Sequence, residues 1–146
     1  MIVIVDIDNT LALNNHRFEL AKKKDGKTNW DIAYDFKNVM NDLPHHPMID
    51  LVQRYNKDGF KIVIFTGRPE SVRQPTELWL KTHNIPYDEL YMRTEEDHYI
   101  KANLLKGRMF KKYINEDVFC AYDDDDSIID LWKHLGIHSF KVIGIQ

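Results

Sequence analysis

The stretch Ile2-Val3-Ile4-Val5-Asp6-Ile7-Asp8-Asn9-Thr10 runs four β-branched residues into a pair of aspartates one residue apart. Branching at Cβ restricts χ1 and favours a strand, and a short apolar run without alternation suits a strand buried on both faces. The runs Lys61 to Phe65, Val118 to Tyr122 and Phe140 to Ile145 share the character of the first, Ile2 to Ile7, and Glu89 to Met92 is a weaker strand candidate. Helical spacing falls between them. Met48, Ile49, Leu51, Val52 and Tyr55 recur at three- and four-residue intervals, with Pro47 near the start and Gly59 just past the end. Val72 to His83 is a second helix, with Pro75 marking a kink or the true start; Ile100 to Tyr113 and Ser127 to Leu135 follow, the last closed by Gly136. This alternation predicts an α/β fold, a Rossmann-like three-layer sandwich around a mainly parallel sheet, in one domain over residues 1–146. Residues 11–46 are less regular; there Trp30 to Phe36 predicts a short helix in a minimal cap over the site.

Sites in such folds lie at the carboxyl ends of strands. The first strand ends in Asp6 and Asp8, the second in Thr66-Gly67-Arg68, and the third long run in Asp123-Asp124-Asp125-Asp126, so three polar clusters share one sheet edge. Two carboxylates about 4 Å apart repel by ~1 kcal/mol in water and ~4 kcal/mol at an effective dielectric near 20. Crowding Asp6, Asp8, Asp123 and Asp124 therefore calls for a cation, and a hard divalent ion with oxygen ligands such as Mg2+ meets the need. Asp125 or Asp126 is a natural N-cap for the helix near Ser127, which leaves Asp123 and Asp124 as the better ligands.

The composition, 43% hydrophobic and 29% charged, is that of an ordinary globular protein, and a net charge of -3 excludes a polycation that coats nucleic acid. Cys120 is the only cysteine, which excludes an internal disulfide; its apolar neighbours predict a buried thiol in a reducing compartment. No basic leader or membrane-length apolar stretch is present, so a cytoplasmic protein without membrane contact is expected.

The residues Asp6-Ile7-Asp8-Asn9-Thr10 resemble the first motif of the haloacid dehalogenase superfamily, D-x-D-G-T. Thr66 after an apolar strand resembles the second motif, a downstream lysine the third, and Asp123-Asp124 the fourth, in an order that spans essentially the whole chain. Asn9 replaces the usual glycine but tolerates the same left-handed backbone. The resemblance implies a phosphatase with Asp6 as nucleophile and Asp8 as proton donor, then base. It implies further that Thr66 and the amides beside Gly67 hold phosphate, that a lysine neutralises charge, and that Mg2+ is held by Asp6, the Asp8 carbonyl and Asp123. Lys101 and Lys106 compete for the lysine role; Asp97, four residues before Lys101, favours Lys101 by holding its ammonium.

A narrower similarity is to the phosphatase domain of phage polynucleotide kinase-phosphatases. Arg17 follows the first motif, Arg68 lies two after Thr66, Asp97 four before Lys101, and Trp132 sits in the helix after Asp123 and Asp124. Asp125 stands where that family usually has arginine. The likeness implies removal of 3′-phosphates from DNA or RNA ends, Arg17 and Arg68 on the phosphate, and a repair kinase or ligase on separate chains as partner. Two rivals remain: a nucleotidase acting on free nucleoside monophosphates, and a non-catalytic phosphate-binding regulatory module. The basic run Lys106, Arg108, Lys111 and Lys112 either tracks a nucleic-acid backbone or is a solvated face, and Trp30, Tyr34 and Phe36 either stack a base or pack the cap.

Overall fold

The computed structural model describes residues 1–146. Five strands form one sheet in the order β5-β4-β1-β6-β7, all neighbours parallel. They are β1 (Ile2–Val5), β4 (Lys61–Pro69), β5 (Glu89–Arg93), β6 (Val118–Asp123) and β7 (Ser139–Lys141). A small antiparallel pair, β2 (Ala12–Leu13) with β3 (Leu43–Pro44), lies outside it. Alternating side chains of β1 serve both faces of the sheet. Val3 and Val5 pack with Met48, Val52, Trp79 and Leu80, from α4 (His46–Lys57) and α5 (Arg73–Thr82). Ile2 and Ile4 pack with Leu105, Met109, Ile128 and Trp132, from α6 (Ala102–Tyr113) and α7 (Asp126–His134). The expected three-layer α/β sandwich is therefore present, with Cys120 buried inside it. No helix is long and apolar enough to cross a membrane.

Helix ends follow local chemistry. Pro75 sits in the first turn of α5, where a missing N–H forfeits no helical bond, so it marks a start and not a kink. Asp125 is the N-cap of α7, its carboxylate accepting from the Ser127 amide at 2.8 Å. The cover is more divided than the sequence suggests. It holds α1 (Asn15–Leu20), α2 (Trp30–Ala33) and α3 (Phe36–Met40), because Asp35 caps a new helix through the amides of Lys37 and Asn38 instead of continuing the old one.

The last strand is shorter than the apolar run Phe140 to Ile145 predicts. After Lys141 the chain leaves the sheet and crosses the loop that follows β1. Gly144 passes so close to the Leu13 side chain that any Cβ there would collide with it. The Gln146 side chain then accepts from the Asn15 amide at 2.8 Å and donates to Asn9 Oδ1 at 3.0 Å.

Candidate active site

The parallel register sets Val5 beside Ile64 on one side and Tyr122 on the other, so the ends of β1, β4 and β6 share one edge. The Asp6 amide extends this pairing by donating to the Tyr122 carbonyl at 3.1 Å. The chain then reverses around the Ile7 carbonyl, which accepts from the amides of Thr10, Leu11 and Ala12 at 3.1, 2.8 and 2.9 Å. Asn9 sits in the middle at φ 61, the left-handed conformation anticipated for it. The same turn brings the Thr10 hydroxyl back to donate to Asp6 Oδ2 at 3.0 Å.

Lys106 is the cation at the centre. Its ammonium donates to Asp6 Oδ1 at 2.8 Å and to Asp123 Oδ2 at 2.6 Å, and the side chain is almost fully buried. Lys101, favoured from the sequence, is exposed on the cleft wall and meets neither carboxylate, and Asp97 turns to the Thr94 hydroxyl and to Arg108. The reason is where the helix begins. With α6 starting at Ala102, a four-residue spacing from Asp97 to Lys101 does not span a helical turn, while Lys106 lies beside Leu105 and Met109 on the buried face. The basic run is thereby split between one buried member and Arg108, Lys111 and Lys112 at the surface.

Carboxylate oxygens of Asp6, Asp123 and Asp124 lie within 4.8 Å of one another. Burial, and then the Asp123 charge, push the Asp6 carboxyl well above its usual range despite Lys106. The same two causes push Asp124 up to about 6. Burial lowers the Lys106 ammonium, yet Asp6 and Asp123 outweigh it and leave it raised, firmly charged. Three carboxylates against one ammonium leave net negative charge in a largely buried site, and every free donor atom is a hard oxygen. This set fits a divalent cation of the Mg2+ or Ca2+ type. The Asp8 side chain stands outside the cluster, and its main-chain carbonyl accepts no hydrogen bond from the protein.

Asp8 is held by two guanidinium groups. Arg17 Nη2 and Arg68 Nη2 each donate to its Oδ1 at 2.7 Å, Arg68 Nε donates to Oδ2 at 3.0 Å, and Asn14 adds a bond at 3.1 Å. Burial alone raises the Asp8 carboxyl, but Arg68 and Arg17 outweigh it and hold it down at about 2. Both arginines are fully buried and absent from the cleft lining, and here their guanidinium groups are spent on carboxylates and not turned to the open cleft where the sequence places them. Their other partner is Asp42, which accepts from Arg17 Nε and Arg68 Nη2 at 2.9 Å each. Two interior guanidinium groups need two carboxylates, and Asp8 and Asp42 are those carboxylates. Arg68→Ala is expected to cost about 3–5 kcal/mol in urea unfolding, because it strands buried charge on both aspartates. Arg68→Lys should recover little, since an ammonium cannot span both.

Thr66 ends the regular part of β4, fully buried, its hydroxyl accepting from the Arg68 amide at 3.1 Å. Gly67 lines the cleft and offers its carbonyl to Arg93 Nε at 3.1 Å. Arg93 gave no signal in the sequence. It also donates to the carbonyls of Asp97 and Ile100 at 2.7 and 2.6 Å and pairs with no carboxylate, which makes it a fixed, uncompensated cation in the cleft wall. Asp42 was equally silent, a lone aspartate in an aperiodic segment. The chemistry available at this edge is that of a buried carboxylate beside an ammonium, a cation-binding acidic cluster and a clamped second carboxylate, all opening on a cleft of about 1740 Å³.

Two solved structures resemble the whole chain, described as "Structure of Pnkp1/Rnl/Hen1 complex" and "Structure of the Pnkp1/Rnl/Hen1 RNA repair complex". The first is 29% identical with a TM-score of 0.78, covering 99% of this chain and 46% of its own; the second is 30% identical with a TM-score of 0.80, covering 97% and 42%. The chain thus spans less than half the length of these relatives. A haloacid dehalogenase-like hydrolase from Streptococcus pneumoniae, 13% identical with a TM-score of 0.70 over 96% of this chain and 83% of its own, shares the fold. No curated protein sequence matches the chain. The family profile described as "Polynucleotide kinase PNKP phosphatase domain" matches residues 1–144. A chain matched over nearly its full length, with the acid pair and the fourth-motif aspartates at one sheet edge, belongs to that family, the haloacid dehalogenase-type phosphatase domains of polynucleotide kinase-phosphatases, which hydrolyse phosphate monoesters.

Proposed function

We propose that this domain removes 3′-phosphates from DNA or RNA strand ends through an aspartyl-phosphate on Asp6, with Mg2+ as cofactor. One Asp6 oxygen attacks phosphorus, and the bond from phosphorus to the sugar oxygen breaks. The departing oxygen takes a proton from Asp8, and Lys106 balances charge that gathers on Asp6 and the phosphoryl group. Water then attacks the phosphoenzyme, surrendering a proton to the Asp8 carboxylate, and phosphate and free Asp6 are released. The Arg17 and Arg68 clamp keeps Asp8 in the form needed for this second step. Protonating the leaving group in the first step requires that clamp to loosen when substrate is bound. Asp6, Asp123, Asp124 and the Asp8 carbonyl would hold Mg2+, which supplies positive charge against the phosphate oxygens. Arg93 and the amides beside Gly67 are suited to the same oxygens.

The observation that carries the polymer-end reading is the size of the cleft above Asp6. At about 1740 Å³ it exceeds the roughly 300–1,000 Å³ usual for a small-molecule pocket, leaving room for a strand beyond its last nucleotide. The RNA repair complex named for a relative 30% identical supports a nucleic-acid end as substrate, and a kinase or ligase as partner. The test is a comparison of kcat/KM, with Mg2+, for oligonucleotide 3′-phosphates and nucleoside 3′-monophosphates. The oligonucleotides should win by a factor of ten or more, about 1.4 kcal/mol of extra transition-state binding. A wide preference for monomers would make the domain a nucleotidase, and no phosphate release from any monoester would make it a binding module.

A further inference from the structure

The walls of the cleft carry two large aromatic rings whose exposure the catalytic chemistry does not explain. Trp30, on α2 of the cover, is 58% exposed, and Tyr99, between β5 and α6, is 95% exposed; both line the cleft that has Asp6 and Lys106 on its floor. Trp30 is not a loose surface residue. One face of its indole stacks on Tyr34, with centroids 5.6 Å apart and planes 16° from parallel, and Phe18 meets it edge-on at 6.1 Å. Tyr34 in turn lies 5.4 Å from the Arg17 guanidinium, and Arg17 donates to the Ala33 carbonyl at 2.9 Å. Asn29 fixes the start of the same helix through the Asp31 amide at 3.2 Å. The other face of the indole is therefore left open and held in place, by a chain of contacts that ends on Asp8.

A planar apolar face kept exposed and immobile next to a phosphate-processing site matches a planar apolar ligand joined to that phosphate. We propose that Trp30 is the stacking platform for the nucleobase of the nucleotide that carries the scissile phosphate, and that Tyr99 is the second ring of this base subsite, on the other wall. The assignment rests on the polynucleotide reading above and extends it: the enzyme grips a base by its π-face and tolerates any of the four. Because Tyr34 and Arg17 support the platform, seating the base also sets the strand end relative to Asp8.

The experiment compares two oligonucleotides that differ only at the 3′-terminal residue, one with a base and one with an abasic sugar, both bearing a 3′-phosphate. Stacking on a protein aromatic is worth about 1–3 kcal/mol per base. The wild-type enzyme should therefore favour the base-bearing end by roughly 5- to 150-fold in kcat/KM, mostly through KM. Trp30→Ala should erase most of that preference, Trp30→Tyr should restore it, and Tyr99→Ala should reduce it in part. The proposal is overturned if wild type treats the two ends alike, or if Trp30→Ala loses equally on both, which would make Trp30 a prop for the cover. Should nucleoside monophosphates outcompete oligonucleotides, the end-repair reading fails while the platform is still tested, by comparing a nucleoside 3′-monophosphate with the abasic sugar 3-phosphate.

Discussion

Asp6→Asn should lower phosphate release from a 3′-phosphorylated oligonucleotide by about 10⁴-fold or more, the scale of loss when a nucleophile is removed from residues that act as a unit. The asparagine is nearly isosteric and still has Thr10 and Lys106 beside it, but a neutral amide oxygen does not displace the sugar from phosphorus. The fold should tolerate the change well. Burial, and then the charges of Asp123 and Asp8, raise the proton affinity of Asp6, so removing this carboxylate relieves the strain while Lys106 keeps Asp123. Phosphate release and labelling of the protein from a 3′-³²P oligonucleotide measure the outcome together. Turnover within tenfold of wild type, or labelling that persists in Asp6→Asn, would show that the phosphoryl group is carried elsewhere.

The second large effect separates two lysines, of which the sequence favours Lys101 while the structure seats Lys106 between Asp6 and Asp123. Lys106→Met should reduce kcat by about 10²–10³-fold, as loss of one preorganised charge at a developing anion typically does. Lys101→Met should stay within about 0.5 kcal/mol of wild type, the usual range for a surface substitution. Stability gives an independent readout. Without the ammonium, Asp6 and Asp123 are buried and uncompensated, which in metal-free buffer should cost about 3–5 kcal/mol. Added Mg2+ should return part of that loss, because binding only to the folded site shifts the unfolding equilibrium. A larger loss for Lys101→Met than for Lys106→Met would reverse the assignment.

How far the sequence carries depends on what each residue's neighbours reveal. The central strands are legible because unbroken β-branched runs have few alternatives in a buried parallel sheet, and the acids that follow them inherit their position from the strands. The lysine is not legible from spacing, since helical arithmetic holds only inside a helix and α6 begins one residue after Lys101. The partners of Arg17 and Arg68 are not legible for a chemical reason: a guanidinium fork fits carboxylate and phosphate equally, and the sequence does not show that both are buried against Asp8 and Asp42. Asp42, which decides between them, lies in a segment without periodicity and is brought near Arg68 by tertiary structure alone. The tail fails on composition, because Val142, Ile143 and Ile145 look like strand residues while the strand ends at Lys141 and Gly144 passes close against Leu13.

The ion-paired quartet of Arg17, Arg68, Asp8 and Asp42 has a mechanical consequence. It ties residues of α1 and of the α3–β3 connection to the ends of β4 and of the first-motif loop, so swinging the cover outward would tear apart the fully buried pair of Arg68 with Asp42 and the pair of Arg17 with the partly exposed Asp8, at several kcal/mol. Many phosphate-transferring enzymes spend part of each cycle opening and shutting a lid. Here Arg68 and Asp42 tie the cover to the sheet edge even where Asp8 is released, so the width of the cleft, and not a swinging roof, is expected to select what reaches Asp6.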